Sequence, residues 1–271
     1  MITMIESTEH GINTIVYHVI QGILSMELTD ILFFILGFMS EVVGTMAGFG
    51  SSTIFLPLST YFVDFKTALT LVAIFHLFGN ISRLAFFRHG LDKKILLLFG
   101  VPSFAFSLIG ATLVGDLSQT ILKLILGIFL ISICIAFLLR PKLAFPTNAK
   151  SLVVGGGASG FIVGLIGTGG ALRAAFLTGL KIDKTKYIAT AAVIALGTDA
   201  TRIPSYVSHG FLPEQYYYFI PILFVIAVGG SFVGKKIVNK INQEKFKKIV
   251  LIAVILASIK FIIDGIAVFQ T

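Results

Sequence analysis

Several side chains with acid–base or ion-binding chemistry stand inside strongly apolar stretches of this chain. Asn80 and Arg83 in "GNISR", and Asp199 and Arg202 in "GTDATR", each lie three residues apart, so on a helix each pair shares one face. A guanidinium presents its N–H donors in a planar fork that matches an oxyanion. Arg202 and Arg83 are therefore candidates for substrate binding or gating. Arg83 is alternatively a basic anchor snorkelling to headgroups, and Asp199 is either a partner for Arg202 or a carrier of coupling protons. Arg173 closes "GTGGALR", where a cation is costly unless it faces a cavity or a counter-charge. Glu41 in "LGFMSEVVG" either carries a proton or pairs with an arginine. His76 in "AIFHLFG" titrates near neutrality, or simply hydrogen-bonds to a neighbouring helix.

Glycines and hydroxyls break two of the apolar stretches. "VVGTMAGFGSSTIFLPL" covers residues 42–58 and "LIGTGGALRAAFLTGL" residues 165–180. A helix restarting after such a break presents free N–H groups and a partial positive charge. Broken helices are tolerated at membrane depth only where protein or a water-filled cavity surrounds them. Gly48, Gly50, Ser51 and Ser52 are thus expected to line one half of an anion site, and Gly167, Thr168, Gly169 and Gly170 the other. The plainer alternative is that the glycines only permit close helix packing.

The elements that must hold these residues follow from composition. The 271 residues are 56% hydrophobic and 13% charged, with mean hydropathy +0.98. A soluble domain carries about 25% charged residues. Apolar runs at 30–47, 66–82, 95–115, 121–139, 214–234 and 249–268 reach or approach the ~20 residues that span hydrocarbon. The reading is an all-α polytopic membrane protein. Residues 1–29 are expected to form a tail or an interfacial segment, with no removable signal peptide. The lone cysteine, Cys134, rules out a disulfide or a Cys-based metal site within one chain.

Sliding the chain on itself by 119 positions aligns Asp64 with Asp183, Asn80 with Asp199, Ser82 with Thr201 and Arg83 with Arg202. Pro102, Gly110 and Gly115 then meet Pro221, Gly229 and Gly234. Two related halves are expected, 30–139 and 151–271, joined by a linker at 140–150. Each holds about five apolar segments, the second of them short (about 51–63 and 170–180). An odd number of crossings turns one copy upside down relative to the other, an inverted-topology repeat. Basic residues agree: stretches 83–94, 140–150, 181–186 and 235–248 hold four, three, three and six Lys/Arg, together 16 of 21. With these on the cytoplasmic side, both termini are outside. The net charge of +8 reads as this loop bias rather than as a nucleic-acid surface. Asp64 and Asp183 are read as helix N-caps, and His89 and His209 as turn residues.

No HExxH and no phosphate loop followed by Lys is present, so no enzyme, cofactor or ATP-driven pump is expected. The segments "GF…GTMAGFGSS…LP" (Gly37 to Pro57), "GF…GLIGTGGALR" (Gly160 to Arg173) and "ATAAVIALGTDATRIPSYVSHG" resemble the TauE/SafE sulfite exporter family over about residues 30–268. That resemblance implies a permease for sulfite or related organosulfur anions. The first break carries two extra residues, Met46 and Ala47, relative to the second. The expectation is a proton-coupled secondary transporter of a small anion in the cell membrane, compatible with a homo-oligomer, with an uncoupled anion channel as the alternative.

Overall fold

The computed structural model describes residues 16–17, 19–47, 50–86, 90–180, 182–237 and 240–269, and among these it is helical with no strand. After a helical stretch at 19–24, ten helices follow from Leu28. The first five are α1 (Leu28–Ala47), α2 (Ser52–Ser59), α3 (Phe65–Phe86), α4 (Lys93–Leu113) and α5 (Gln119–Leu139). The second five are α6 (Ala149–Ile166), α7 (Gly170–Leu177), α8 (Lys184–Ser208), α9 (Phe219–Ile237) and α10 (Gln243–Phe269).

Seven of these elements are long and apolar enough to cross a membrane: α1, α3, α4, α5, α6, α9 with its leading turn, and α10. α8 is long enough but too polar to count among them, having spent its length on Thr190, Thr198, Asp199 and Arg202, all buried inside the protein. α2 and α7 have eight residues each, about 12 Å at 1.5 Å per residue. They are shorter than the apolar segments legible in the sequence, because Thr60 and Thr178 already end the helical turns.

Local chemistry sets the boundaries. The Asp64 carboxylate accepts from the N–H groups of Lys66 and Thr67 at 3.0 and 3.2 Å, opening α3 as expected of an N-cap. Asp183 occupies the corresponding place at α8, but its side chain makes no cap bond. Asn148 and Ser118 cap α6 and α5 through Ser151 and Ile121 N–H. In α4 a π turn at Leu96–Gly100 immediately precedes Pro102. Proline lacks an N–H and crowds the carbonyl one turn back, and the wider turn accommodates both defects. His209 lies at the turn closing α8, before Gly210, as expected; His89 lies outside the described residues.

Packing pairs each half with the other. α1 lies along α9, and α6 lies along α4; α3 packs on α8, and α5 on α10. α3 also meets α9, as α8 meets α4. The α4–α6 contact is close because Gly156, Gly160 and Gly164 face the carbonyls of Phe99, Ser103 and Ser107. A methyl group at any of the three would come within 2.0–2.3 Å of those oxygens. Ser103 Oγ–H reinforces the seam by donating to the Phe99 and Gly156 carbonyls. Between the helix pairs lies one large apolar core, with Phe33, Phe55, Phe65, Phe75 and Phe219 fully buried.

Candidate functional site

The broken elements meet in the interior. α1 ends at Ala47 and α2 begins at Ser52, with Gly50 between them at φ +92°. Gly48 lies outside the described residues. α6 ends at Ile166, Gly167 turns the chain at φ +77°, and α7 begins at Gly170. Only glycine adopts such a φ readily, and a Cβ at Gly167 would also strike Leu69 and Leu56. Thr53 Oγ1 and Thr168 Oγ1 lie 3.0 Å apart, joining the first turn of α2 to the second break. Ser51, Ser52 and Thr168 are buried, and neither Ser51 nor Gly169 caps its helix through a side chain.

Around the breaks, a chain of polar contacts crosses the molecule. Glu41 is fully buried between Gly79 of α3 and Gly230 of α9, whose missing side chains make room for it. Its Oε1 accepts from Arg83 Nη2 at 2.5 Å and from Ser231 Oγ at 2.6 Å. Arg83 Nη1 donates to Asn80 Oδ1 at 2.9 Å, and Thr45 Oγ1 lies 3.4 Å from the same guanidinium. Asn80 donates to the backbone carbonyl of His76 at 2.7 Å. His76 Nδ1 meets Asp199 Oδ2 at 2.8 Å, and Asp199 Oδ1 accepts from Arg202 Nε at 3.0 Å with Arg202 Nη2 in ion-pair contact at 2.8 Å. Arg202 Nη1 then donates to the Val163 carbonyl at 3.2 Å. That carbonyl, which also accepts the Gly167 N–H at 2.9 Å, belongs to the last turn of α6, where the helix dipole favours a cation.

Glu41, Asn80, Arg83, His76, Asp199 and Arg202 are therefore one connected cluster. Arg83 is no headgroup anchor: it is 9% exposed and points at Glu41. Arg202 is fully buried, hydrogen-bonded through Nε and Nη1, with Nη2 beside the Asp199 carboxylate as an ion pair. Arg173 differs. On α7, one turn past Gly169, it is 7% exposed, and among the described residues its guanidinium makes no hydrogen bond or ion pair. The ionisable groups near enough to act on it include Tyr187, Asp199, Arg83 and Arg202. Buried polar atoms without a partner include His76 Nε2, Ser51 Oγ and Glu41 Oε2. A Cβ built on Gly50 would meet His76 Nε2 at 3.4 Å and Ser52 Oγ at 3.9 Å and nothing nearer. The free edge of His76 thus faces the first break.

Some members of this cluster carried no sequence signal. Ser231 and Thr45 are small hydroxyls in apolar runs, made relevant only by where α9 and α1 pack. Tyr206, whose hydroxyl donates to the Gly164 carbonyl, was in reach: it lies four residues after Arg202, on the same helix face.

Comparison with known proteins agrees with the architecture. A probable membrane transporter protein of Methanocaldococcus jannaschii is 26% identical over 233 residues, covering 79% of this chain and 86% of that protein. No solved structure matches the chain. The family model for sulfite exporter TauE/SafE matches residues 33–261. With seven helices long and apolar enough to cross a membrane among the described residues, the chain is a multi-pass membrane transporter that belongs to the TauE/SafE sulfite exporter family.

Proposed function

We propose that the protein is a secondary transporter for a small oxyanion, of the sulfite or sulfonate type, bound where the two breaks meet. The carrying observation is the charge balance of the interior. Among the described residues, Arg83, Arg173 and Arg202 are buried with two buried carboxylates, Glu41 and Asp199. Two arginines are paired, and Arg173 is left over. An uncompensated buried cation costs several kcal/mol, which a bound anion removes. Arg173 supplies the charge, Ser51, Thr168 and the uncapped starts of α2 and α7 supply donors, and Arg83 and Arg202 hold the surrounding helices. Glu41, Asp199 and His76 are the groups able to take up coupling protons.

In this reading the two five-helix sets, 30–139 and 151–271, are inverted-topology repeats with a cytoplasmic linker at 140–150 and both termini outside. The packing pattern supports it: exchanging the two sets turns each principal helix contact into another. A two-fold axis in the membrane plane produces that exchange. The contact between α2 and α7 supports a site shared by both breaks, as alternating access around one fixed site requires.

Proteoliposomes loaded with sulfite, a sulfonate or sulfate, with and without a pH gradient, test the proposal. Arg173→Ala should reduce flux by at least about tenfold, the equivalent of one lost charged contact. Its thermal stability should stay at or above that of the parent, since no pair is broken. Absence of any anion flux, or undiminished flux in Arg173→Ala, would remove this site from consideration.

A further inference from the structure

Resting on the anion-site reading, the geometry points to His76 as the residue that takes up one proton when a doubly charged oxyanion binds. The atoms assign the tautomer. Asp199 is held by the Arg202 fork on Oδ1, so its other oxygen, Oδ2, is a carboxylate acceptor facing His76 Nδ1 at 2.8 Å. An ionised carboxylate cannot donate, so Nδ1 carries the hydrogen. The other neighbour of Nδ1, Asn80 Nδ2, has its own acceptor in the His76 carbonyl. Proton gain and loss therefore occur at Nε2. That nitrogen is buried, lacks a hydrogen-bond partner among the described residues, and faces Gly50 at the first break.

Charge then decides what it does. The groups around the imidazole are Asp199 and Arg202 from α8 and Arg83 from its own helix, with Glu41 of α1 joined to Arg83 and Arg173 of α7 buried near enough to act on Asp199, Arg83 and Arg202. With His76 neutral, three arginines and two carboxylates leave one positive charge, which a monoanion balances. A dianion leaves one negative charge, and protonation of Nε2 cancels it. The resulting N–H also supplies a charge-assisted donor where the anion's oxygens would sit. The positive Nε2–H is held on its far side by the Asp199 carboxylate, as a second group orients an acting histidine. The step is a proton moving from solvent to Nε2 as the dianion enters, with no bond made to the substrate.

Binding measured on the intact protein in nanodiscs separates the possibilities. Two probes are used whose own charge is constant around neutrality: sulfate, a dianion, and methanesulfonate, a monoanion. The sulfate Kd should weaken by about tenfold per pH unit above the histidine's titration, the slope of one linked proton. Methanesulfonate should bind with little pH dependence. In weak buffer, sulfate addition should withdraw about one proton per site, and methanesulfonate close to none. His76→Gln, which offers a non-titrating N–H, should make sulfate binding flat with pH. Sulfate binding that is already flat in the parent, equal proton uptake with both anions, or persistent pH dependence in His76→Gln each overturns the inference while leaving the anion site standing. If His76→Gln fails to fold, the proton-uptake measurement on the parent decides. If neither probe binds, the site reading falls, and this inference with it.

Discussion

The two arginine clusters, one on α3 and one on α8, are built differently. On α8 the carboxylate and guanidinium share one helix, Asp199 and Arg202 one turn apart. On α3 the equivalent of Asp199 is Asn80, and the carboxylate that neutralises Arg83 arrives from α1 as Glu41. The second cluster is nearly self-contained and spends its spare donor on the end of α6. The first joins α1, α3 and α9 through Glu41, Arg83 and Ser231. A repeated arginine thus need not have a repeated counter-ion, provided the carboxylate reaches the same volume from another helix. The cost is that the first cluster forms only once three helices have docked.

That contrast predicts unequal damage. Asp199→Ala strands Arg202 at full burial and releases His76, and should cost about 3–5 kcal/mol, the usual penalty for halving a buried pair. Glu41→Ala should cost less, about 1.5–3 kcal/mol. Arg83 keeps Asn80 and Thr45 and has 9% of its surface exposed, so some water can reach it. Thermal unfolding in detergent ranks the two, and equal losses would deny the difference in confinement. The sharper test moves the carboxylate: Glu41→Gln with Asn80→Asp rebuilds on α3 the arrangement of α8. Because Asn80 Oδ1 already lies 2.9 Å from Arg83 Nη1, the double variant should regain at least half of what Glu41→Gln loses. No recovery would mean that the first cluster depends on Glu41 bridging to Ser231 rather than on neutralising Arg83.

The smallest effect lies outside the interior. Asp92 opens α4 by accepting the Ile95 N–H at 3.1 Å and faces Lys186 at 3.4 Å, and these contacts hold its carboxyl below the usual range. A carboxyl with a lowered value stabilises the fold above its unfolded value of about 4 and loses that contribution as pH falls through the folded value. Asp92→Ala should cost about 1 kcal/mol at neutral pH, as for other N-caps. The difference from the parent should shrink below about pH 4; a constant difference would assign the effect to helix propensity.

Much of this was legible in order along the chain. The apolar runs and the Asp64 cap each depend on a few neighbouring residues, and both appear where their patterns put them. The 119-residue offset placed Arg83 and Arg202 as equivalents. It could not show that Asn80 hands the counter-charge to Glu41, a residue whose own equivalent at that offset is Gly160. Nor could it distinguish the three buried arginines. Arg202 looked the most open to function and is fully buried against Asp199, whereas Arg173 makes no hydrogen bond or ion pair among the described residues. Asp183, aligned with a true cap, makes no cap bond, because such a bond depends on side-chain geometry rather than on residue type.

By itself the sequence determined that this chain is a helical membrane protein and which ionisable groups lie within its helices. Burial of apolar runs and the backbone demands of glycine act locally, and composition records them. Tertiary structure alone decided which charges meet. Glu41 finds Arg83 across 42 residues, and His76 finds Asp199 across 123. In a low-dielectric interior those encounters determine whether an ionised side chain is a strut or is left open to a ligand. Separation along the chain carries no trace of that, because the pairing energy depends on distance in space and on exclusion of water.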